Sequence, residues 1–116
     1  MPYASHYSEQ APDREEIDQS QGPLVVEFGT GWCGHCQAAQ PFIGDAMDRH
    51  SSVRHLKIED GKGRRLGRTF GVKLWPTLIF LSDGQEVARL VRPTSTGPVD
   101  QALAQIDPEP SNTEQV

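Results

Sequence analysis

Leu24-Val25-Val26-Glu27-Phe28-Gly29-Thr30-Gly31-Trp32-Cys33-Gly34-His35-Cys36 is the stretch whose reading decides the fold. Its first five residues form a short apolar, β-branched run between Pro23 and Gly29, the pattern of a buried strand. From residue 33 to about residue 49, Ala39, Phe42, Ile43, Ala46 and Met47 recur at helical spacing, with Asp45, Asp48 and Arg49 on the outer side. Pro41 falls inside that helix and predicts a kink. Residues 53–59 return to strand character, which completes a strand–helix–strand unit.

Working outward, residues 61–70 are glycine-rich and predict at best a weak helix carrying Leu66 and Phe70. Residues 77–81 read as a strand, Ser82-Asp83-Gly84-Gln85 as a hairpin turn, and 86–91 as the returning strand. Val99, Ala102, Leu103 and Ile106 mark an amphipathic helix, opened by Thr96 or Gly97 with Pro98 in its first turn. The order β-α-β, weak α, β-β-α predicts an α/β fold, with a mixed central β-sheet and helices on both faces. Residues 1–22 are polar and carry weak signals, with a short helix expected over 13–18, capped by Asp13 and anchored by Ile17. Residues 23–106 make the domain, and 107–116, with two prolines and no periodicity, predict a disordered tail.

At 116 residues the chain is long enough to bury one core without a metal or a disulfide framework. Its net charge of −5 speaks against a general nucleic-acid binder. Lys62, Arg64, Arg65, Arg68 and Lys73 form a local basic cluster, read as a solvated face. No apolar run reaches the length of a membrane span. Residues 1–6 show neither the basic nor the apolar region of a secretory leader, so a cytoplasmic protein is expected.

The chain has two cysteines, three positions apart. A structural disulfide stabilises mainly by closing a long loop in the unfolded chain, and a bridge from Cys33 to Cys36 closes almost nothing. The pair sits where the strand meets the helix. Backbone N–H groups and the helix dipole there stabilise a thiolate at Cys33, and the offset brings both sulfurs onto one turn. Such a corner leaves the first sulfur exposed and turns the second inward. Because the thiolate is the nucleophile, this placement sets reactivity. Glu27, alone among apolar neighbours, is an ionisable group on a buried strand, which must be protonated or paired.

These residues resemble the thioredoxin family. The resemblance runs from about residue 24 to 106. It rests on Val25-Val26-Glu27-Phe28, Trp32-Cys33-Gly34-His35-Cys36, Pro41, Gly71-Val72, Trp75-Pro76-Thr77 and Asp83-Gly84. It implies a thioredoxin fold, in which Cys33 attacks a substrate disulfide and Cys36 resolves the mixed disulfide. It implies that Pro76 is a cis proline beside the cysteines, with a substrate groove around Trp32, Trp75 and Pro76. Glu27 corresponds to the family's buried acid, usually Asp, which helps move the proton of the second cysteine. On the following strand, His55 falls where the family often has lysine, while Lys57 shares its face and could play the same part. His35 gives Cys-Gly-His-Cys, the form seen in protein disulfide isomerase domains, and implies a more oxidising pair than the usual proline. Gly29, Trp75, Arg92 and Pro93 depart from the family's common residues.

The resulting expectation is a monomeric thiol–disulfide oxidoreductase active in electron transfer and redox homeostasis. It would act on protein disulfides, recharged by a dithiol or reductase donor, with no cofactor, metal, nucleic-acid or membrane partner. Two other readings are weighed against it. A zinc site would need a second C-x-x-C that the sequence lacks, and His6, His50 and His55 are scattered. A thioredoxin-fold binding or chaperone-like module without turnover would use the same groove. A cytosolic address argues for a reductase, whereas His35 argues for an oxidase or isomerase.

Overall fold

The computed structural model describes residues 3–109. Its elements run α1 (Arg14–Asp18), β1 (Pro23–Gly29), α2 (Gly34–Met47), β2 (Arg54–Glu59), α3 (Leu66–Thr69), β3 (Thr77–Ser82), β4 (Gln85–Val91) and α4 (Thr96–Ile106). The four strands form one sheet in the order β2-β1-β3-β4. The β1–β2 pair is parallel, as the helical crossover requires, and β1–β3 and β3–β4 are antiparallel. The segment expected to form the tail is described only as far as Glu109.

The two-residue period of β1 divides its side chains between two cores. Val25 packs with Ile43, Met47, Phe80, Val99 and Leu103 beneath α2 and α4. Leu24, Val26 and Phe28 pack on the opposite face with Ile17, Leu66 and Phe70, from α1 and the α3 region. Glu27 belongs to the same alternate set as Val25, so its carboxylate lies under α2.

Local chemistry accounts for the element ends. Asp13 caps α1 through a complete capping box with Glu16. Helix α2 runs through Pro41 and is capped by Cys33 itself. The expected weak helix narrows to four residues, because Arg65 at its N-cap offers no side-chain acceptor. Ser95, rather than Thr96 or Gly97, holds the N-cap position of α4, which puts Pro98 in the first turn, where a missing N–H costs nothing. Asp83 and Gly84 both have positive φ in the β3–β4 turn, as a tight hairpin demands. The turn is pinned to the start of β1: Gly22 N–H donates to Asp83 Oδ1 at 2.8 Å, and Asp83 N–H donates to Gly22 O at 3.1 Å.

The segment before α1 lies against the free edge of β2. Ser8 N–H donates to Lys57 O at 2.7 Å, and Glu59 N–H donates to Ser8 O at 2.8 Å. This bridge covers part of an otherwise open strand edge. It also carries Tyr7 toward the end of β1, where the cysteines stand.

Candidate active site: a dithiol above a buried carboxylate

Cys33 occupies the N-cap of α2 with extended backbone, and its sulfur accepts the Cys36 N–H at 3.2 Å. A capping position places the sulfur among the unpaired N–H groups of the first turn, which favours negative charge there. Both cysteines are free thiols. Cys33 is 8% exposed and Cys36 1%, so the first sulfur, expected to be exposed at the strand–helix corner, is instead largely covered like the second, because it turns in to accept the Cys36 N–H. Burial, reinforced by hydrogen bonding with Cys33, pushes the Cys36 thiol up to about 12 against smaller opposing contributions from Thr30 and Tyr7. His35 lies between the cysteines, exposed on the first turn of α2.

Beneath Cys36 lies Glu27, fully buried. Its Oε2 accepts from the Tyr7 hydroxyl in a short hydrogen bond and from Gln40 Nε2 at 2.8 Å, and its Oε1 accepts from His55 Nε2 at 2.9 Å. The His55 tautomer follows from its other nitrogen: Ala4 N–H donates to Nδ1 at 2.9 Å, so in this arrangement the ring proton is on Nε2. The orientation of the Gln40 amide is likewise fixed, because Tyr3 Oη and Lys57 Nζ both donate to its Oε1 at 2.8 Å. Burial pushes the Glu27 carboxyl up, but His55, Tyr7 and Gln40 outweigh it by stabilising the carboxylate, and the net direction is downward. Of the two basic residues expected on this face, His55 therefore contacts Glu27 and Lys57 reaches Gln40. Burial lowers the Lys57 ammonium, opposed by the charges of Glu27 and Cys36.

Gly29 is explained by what stands over it. A Cβ there would lie 2.6 Å from Cys36 Sγ and 2.8 Å from Tyr7 Oη, distances no neighbour tolerates. Its glycine is thus required by close approach. Tyr3, Tyr7 and Gln40 are the residues of this site that sequence reasoning missed. Tyr7 lies twenty positions from Glu27 in a polar segment without periodicity, and the bare Gly29 was the one trace of it in the sequence.

Across the dithiol, the Trp75–Pro76 peptide bond is cis. Trp32 is 74% exposed and meets Trp75 edge-on, with ring centroids 5.7 Å apart. Trp75 is held from behind by its Nε1–H donating to Asp60 Oδ2 at 2.8 Å. Arg92 Nε donates to Trp75 O at 2.8 Å, and Arg92 N–H donates to Pro76 O at 2.9 Å. Arg92 takes φ 53°, a conformation glycine adopts without strain. The two hydrogen bonds hold the arginine there, and its side chain covers the Trp75 carbonyl. Among the described residues, no group of three or more His, Cys, Asp or Glu side chains could hold a metal ion, and no helix is long and apolar enough to cross a membrane.

The ranking of the two basic residues yields a direct test. His55→Ala removes a donor from Glu27 and should raise its pKa, read by carboxyl NMR. Lys57→Ala removes a charge that does not touch the carboxylate and a donor to Gln40, and should raise it less. The reverse ranking would contradict the geometry.

The thioredoxin family model matches residues 6–105. Thioredoxin Asp f 28 of Aspergillus fumigatus is 33% identical over 72 residues, covering 62% of this chain and 67% of that protein. Thioredoxin H9 of Arabidopsis thaliana is 30% identical over 76 residues, covering 66% of this chain and 54% of that protein. The matches thus span between about half and two thirds of these curated relatives. The structure is similar to that of reduced thioredoxin 2 from Pseudomonas aeruginosa, with a TM-score of 0.82 and 54% identity over 92% of this chain and 99% of the other. The chain belongs to the thioredoxin family, whose members are disulfide oxidoreductases.

Proposed function

We propose that this chain exchanges disulfides with protein substrates through Cys33 and Cys36, with Cys33 as the attacking sulfur. The reading is supported above all by Cys33 at the cap of α2 and Cys36 in its first turn, with the Tyr7 hydroxyl beside the Cys36 sulfur and bonded to a buried, triply hydrogen-bonded carboxylate. Cys33 attacks one sulfur of a substrate disulfide, the other substrate sulfur leaves as thiolate, and a mixed disulfide remains. Cys36 then attacks Cys33 Sγ, forms the intramolecular disulfide and releases the reduced substrate. With its thiol pushed up to about 12, Cys36 must lose a proton to a base during that step, and Glu27 is the nearby carboxylate placed to receive it. Trp32, Trp75 and Pro76 form the groove for an extended substrate segment, and Arg92, bonded to the Trp75 carbonyl, biases which segments fit.

In the exchange cycle a dithiol or reductase donor returns the Cys33–Cys36 disulfide to the dithiol. His35 makes the dithiol more oxidising than a proline would, because an imidazole N–H in the first turn of α2 is a donor that favours the Cys33 thiolate and hence the reduced form. A binding module without turnover would not need an intact dithiol coupled to a proton acceptor.

Two experiments test this. The full chain should accelerate reduction of insulin by dithiothreitol, and Cys36→Ser should accumulate an insulin mixed disulfide through Cys33, whereas Cys33→Ser should accumulate none. A covalent complex formed only through Cys36, or no acceleration by the unaltered chain, would contradict the proposal. His35→Pro should lower the reduction potential by roughly tens of millivolts, where about 30 mV is tenfold for two electrons. An unchanged potential would remove His35 from the redox machinery.

A further inference from the structure

We propose that the Tyr7 hydroxyl carries the Cys36 proton to Glu27 in the resolving step. Tyr7 comes from the segment bridged to the edge of β2, outside the strand–helix–strand unit that bears the cysteines. Its phenol stands in the space left open by Gly29, next to the Cys36 sulfur, and it donates to Glu27 Oε2. A hydroxyl that donates to a carboxylate still has lone pairs to accept from a thiol. With the thiol donating to the phenol and the phenol donating to Glu27, a chain S–H to O–H to carboxylate would run in the direction the proton must travel, and its second link is already made.

The other neighbours of Glu27 do not offer this path. Gln40 is an amide held by Tyr3 and Lys57, and it does not transfer protons. His55 serves the opposite carboxylate oxygen, Oε1. Lys57 Nζ is directed at Gln40 Oε1 and lies 4.4 Å from the Tyr7 ring centroid, where its charge meets the π face. The other titratable groups facing this space are Cys33 at the cap of α2, Glu59 on β2, His6 beside Tyr7 and Tyr3 behind Gln40. A cleft of about 340 Å³ reaches Cys36 and Tyr7, lined also by the buried Thr30 hydroxyl, which has no partner among the described residues. Solvent in that cleft is the competing proton acceptor.

The step balances as a two-electron exchange. Cys36 Sγ forms a bond to Cys33 Sγ, and the Cys33–substrate S–S bond breaks with its electron pair leaving on the substrate sulfur. The thiol proton passes to Tyr7 Oη as the phenol proton passes to Glu27 Oε2, leaving the tyrosine unchanged. The new carboxyl O–H lies along the existing hydrogen bond and donates back to Tyr7, so no further acceptor is needed. Burial, together with the Glu27 charge, pushes the phenol well up, and the two transfers are therefore concerted without a free tyrosinate.

The inference rests on the exchange chemistry proposed above, and one experiment separates the two. Excess reduced full-length protein is mixed rapidly with dithiodipyridine, and thiopyridone release is followed in two phases: attack by Cys33, then resolution by Cys36. Absence of the second phase from the unaltered protein would fail the exchange reading itself. Given both phases, Tyr7→Phe keeps the ring and removes the hydroxyl. It should leave the first phase unchanged and slow the second by about tenfold or more near neutral pH, within the range that positioned proton transfer supplies. The gap should close at alkaline pH as solvent base takes over. Equal second-phase rates and pH profiles would overturn the proposal, and so would equal slowing of both phases, which marks a structural role. Without any substitution, the second phase of the unaltered protein should be slower in deuterium oxide than in water, and the absence of an isotope effect would also overturn it.

Discussion

The structure turns on one buried carboxylate. Glu27 sits in the central strand with no solvent contact, and an ionised group there is tolerable only if its oxygens are fully occupied by donors. Those donors come from three parts of the chain: Tyr7 ahead of α1, Gln40 on α2 and His55 on β2. Leaving one such site unsatisfied costs about 1–3 kcal/mol, so the carboxylate ties the N-terminal segment, the crossover helix and the outer strand to one geometry. Ala4 and Tyr3 are drawn in behind them, orienting His55 and Gln40 in turn.

That constraint has a chemical consequence. The same apolar surroundings that raise the Cys36 thiol would raise Glu27 as well, were its donors absent. Because they are present, thiol and carboxylate are driven in opposite directions: the sulfur holds its proton and the carboxylate beneath it lacks one. Neighbouring groups pushed apart in this way make an acid and a base out of a single environment. Cys33 stands differently, at the cap of α2, where its sulfur accepts the Cys36 N–H. The division of labour between the two cysteines follows from one turn of helix.

Much of this was legible in the sequence, and what was not has physical reasons. The alternation in β1 and the helical spacing after Cys33 give the two layers directly, because each element's periodicity reports which face is buried. Glu27 announced itself as a charge in an apolar strand, and the period of β2 brought His55 and Lys57 to its side. The sequence could not choose between them, since that choice depends on side-chain reach and on Ala4 fixing the imidazole from behind. Tyr7 was invisible for a different reason. Its position rests on a bridge between Ser8 and Ile58 and on the space above Gly29, contacts fifty and about twenty residues away along the chain that leave no local pattern. Helix α4 begins at Thr96 with Pro98 in its first turn, as its sequence suggests, and only the cap falls one residue earlier, at Ser95, which makes no side-chain capping bond that the sequence could have signalled.

The central claim is that Cys36 keeps its proton until the buried carboxylate takes it, and the most direct measurement is the titration of Cys36 in the reduced protein. With carbon-labelled cysteine, the Cys36 Cβ resonance reports thiol against thiolate as pH rises. The account predicts that Cys36 remains a thiol far into the alkaline range, well above the ordinary cysteine value of about 8.5. Titration at or below that ordinary value would contradict it, because Cys36 would then resolve mixed disulfides as a free thiolate and Glu27 would have no proton to receive.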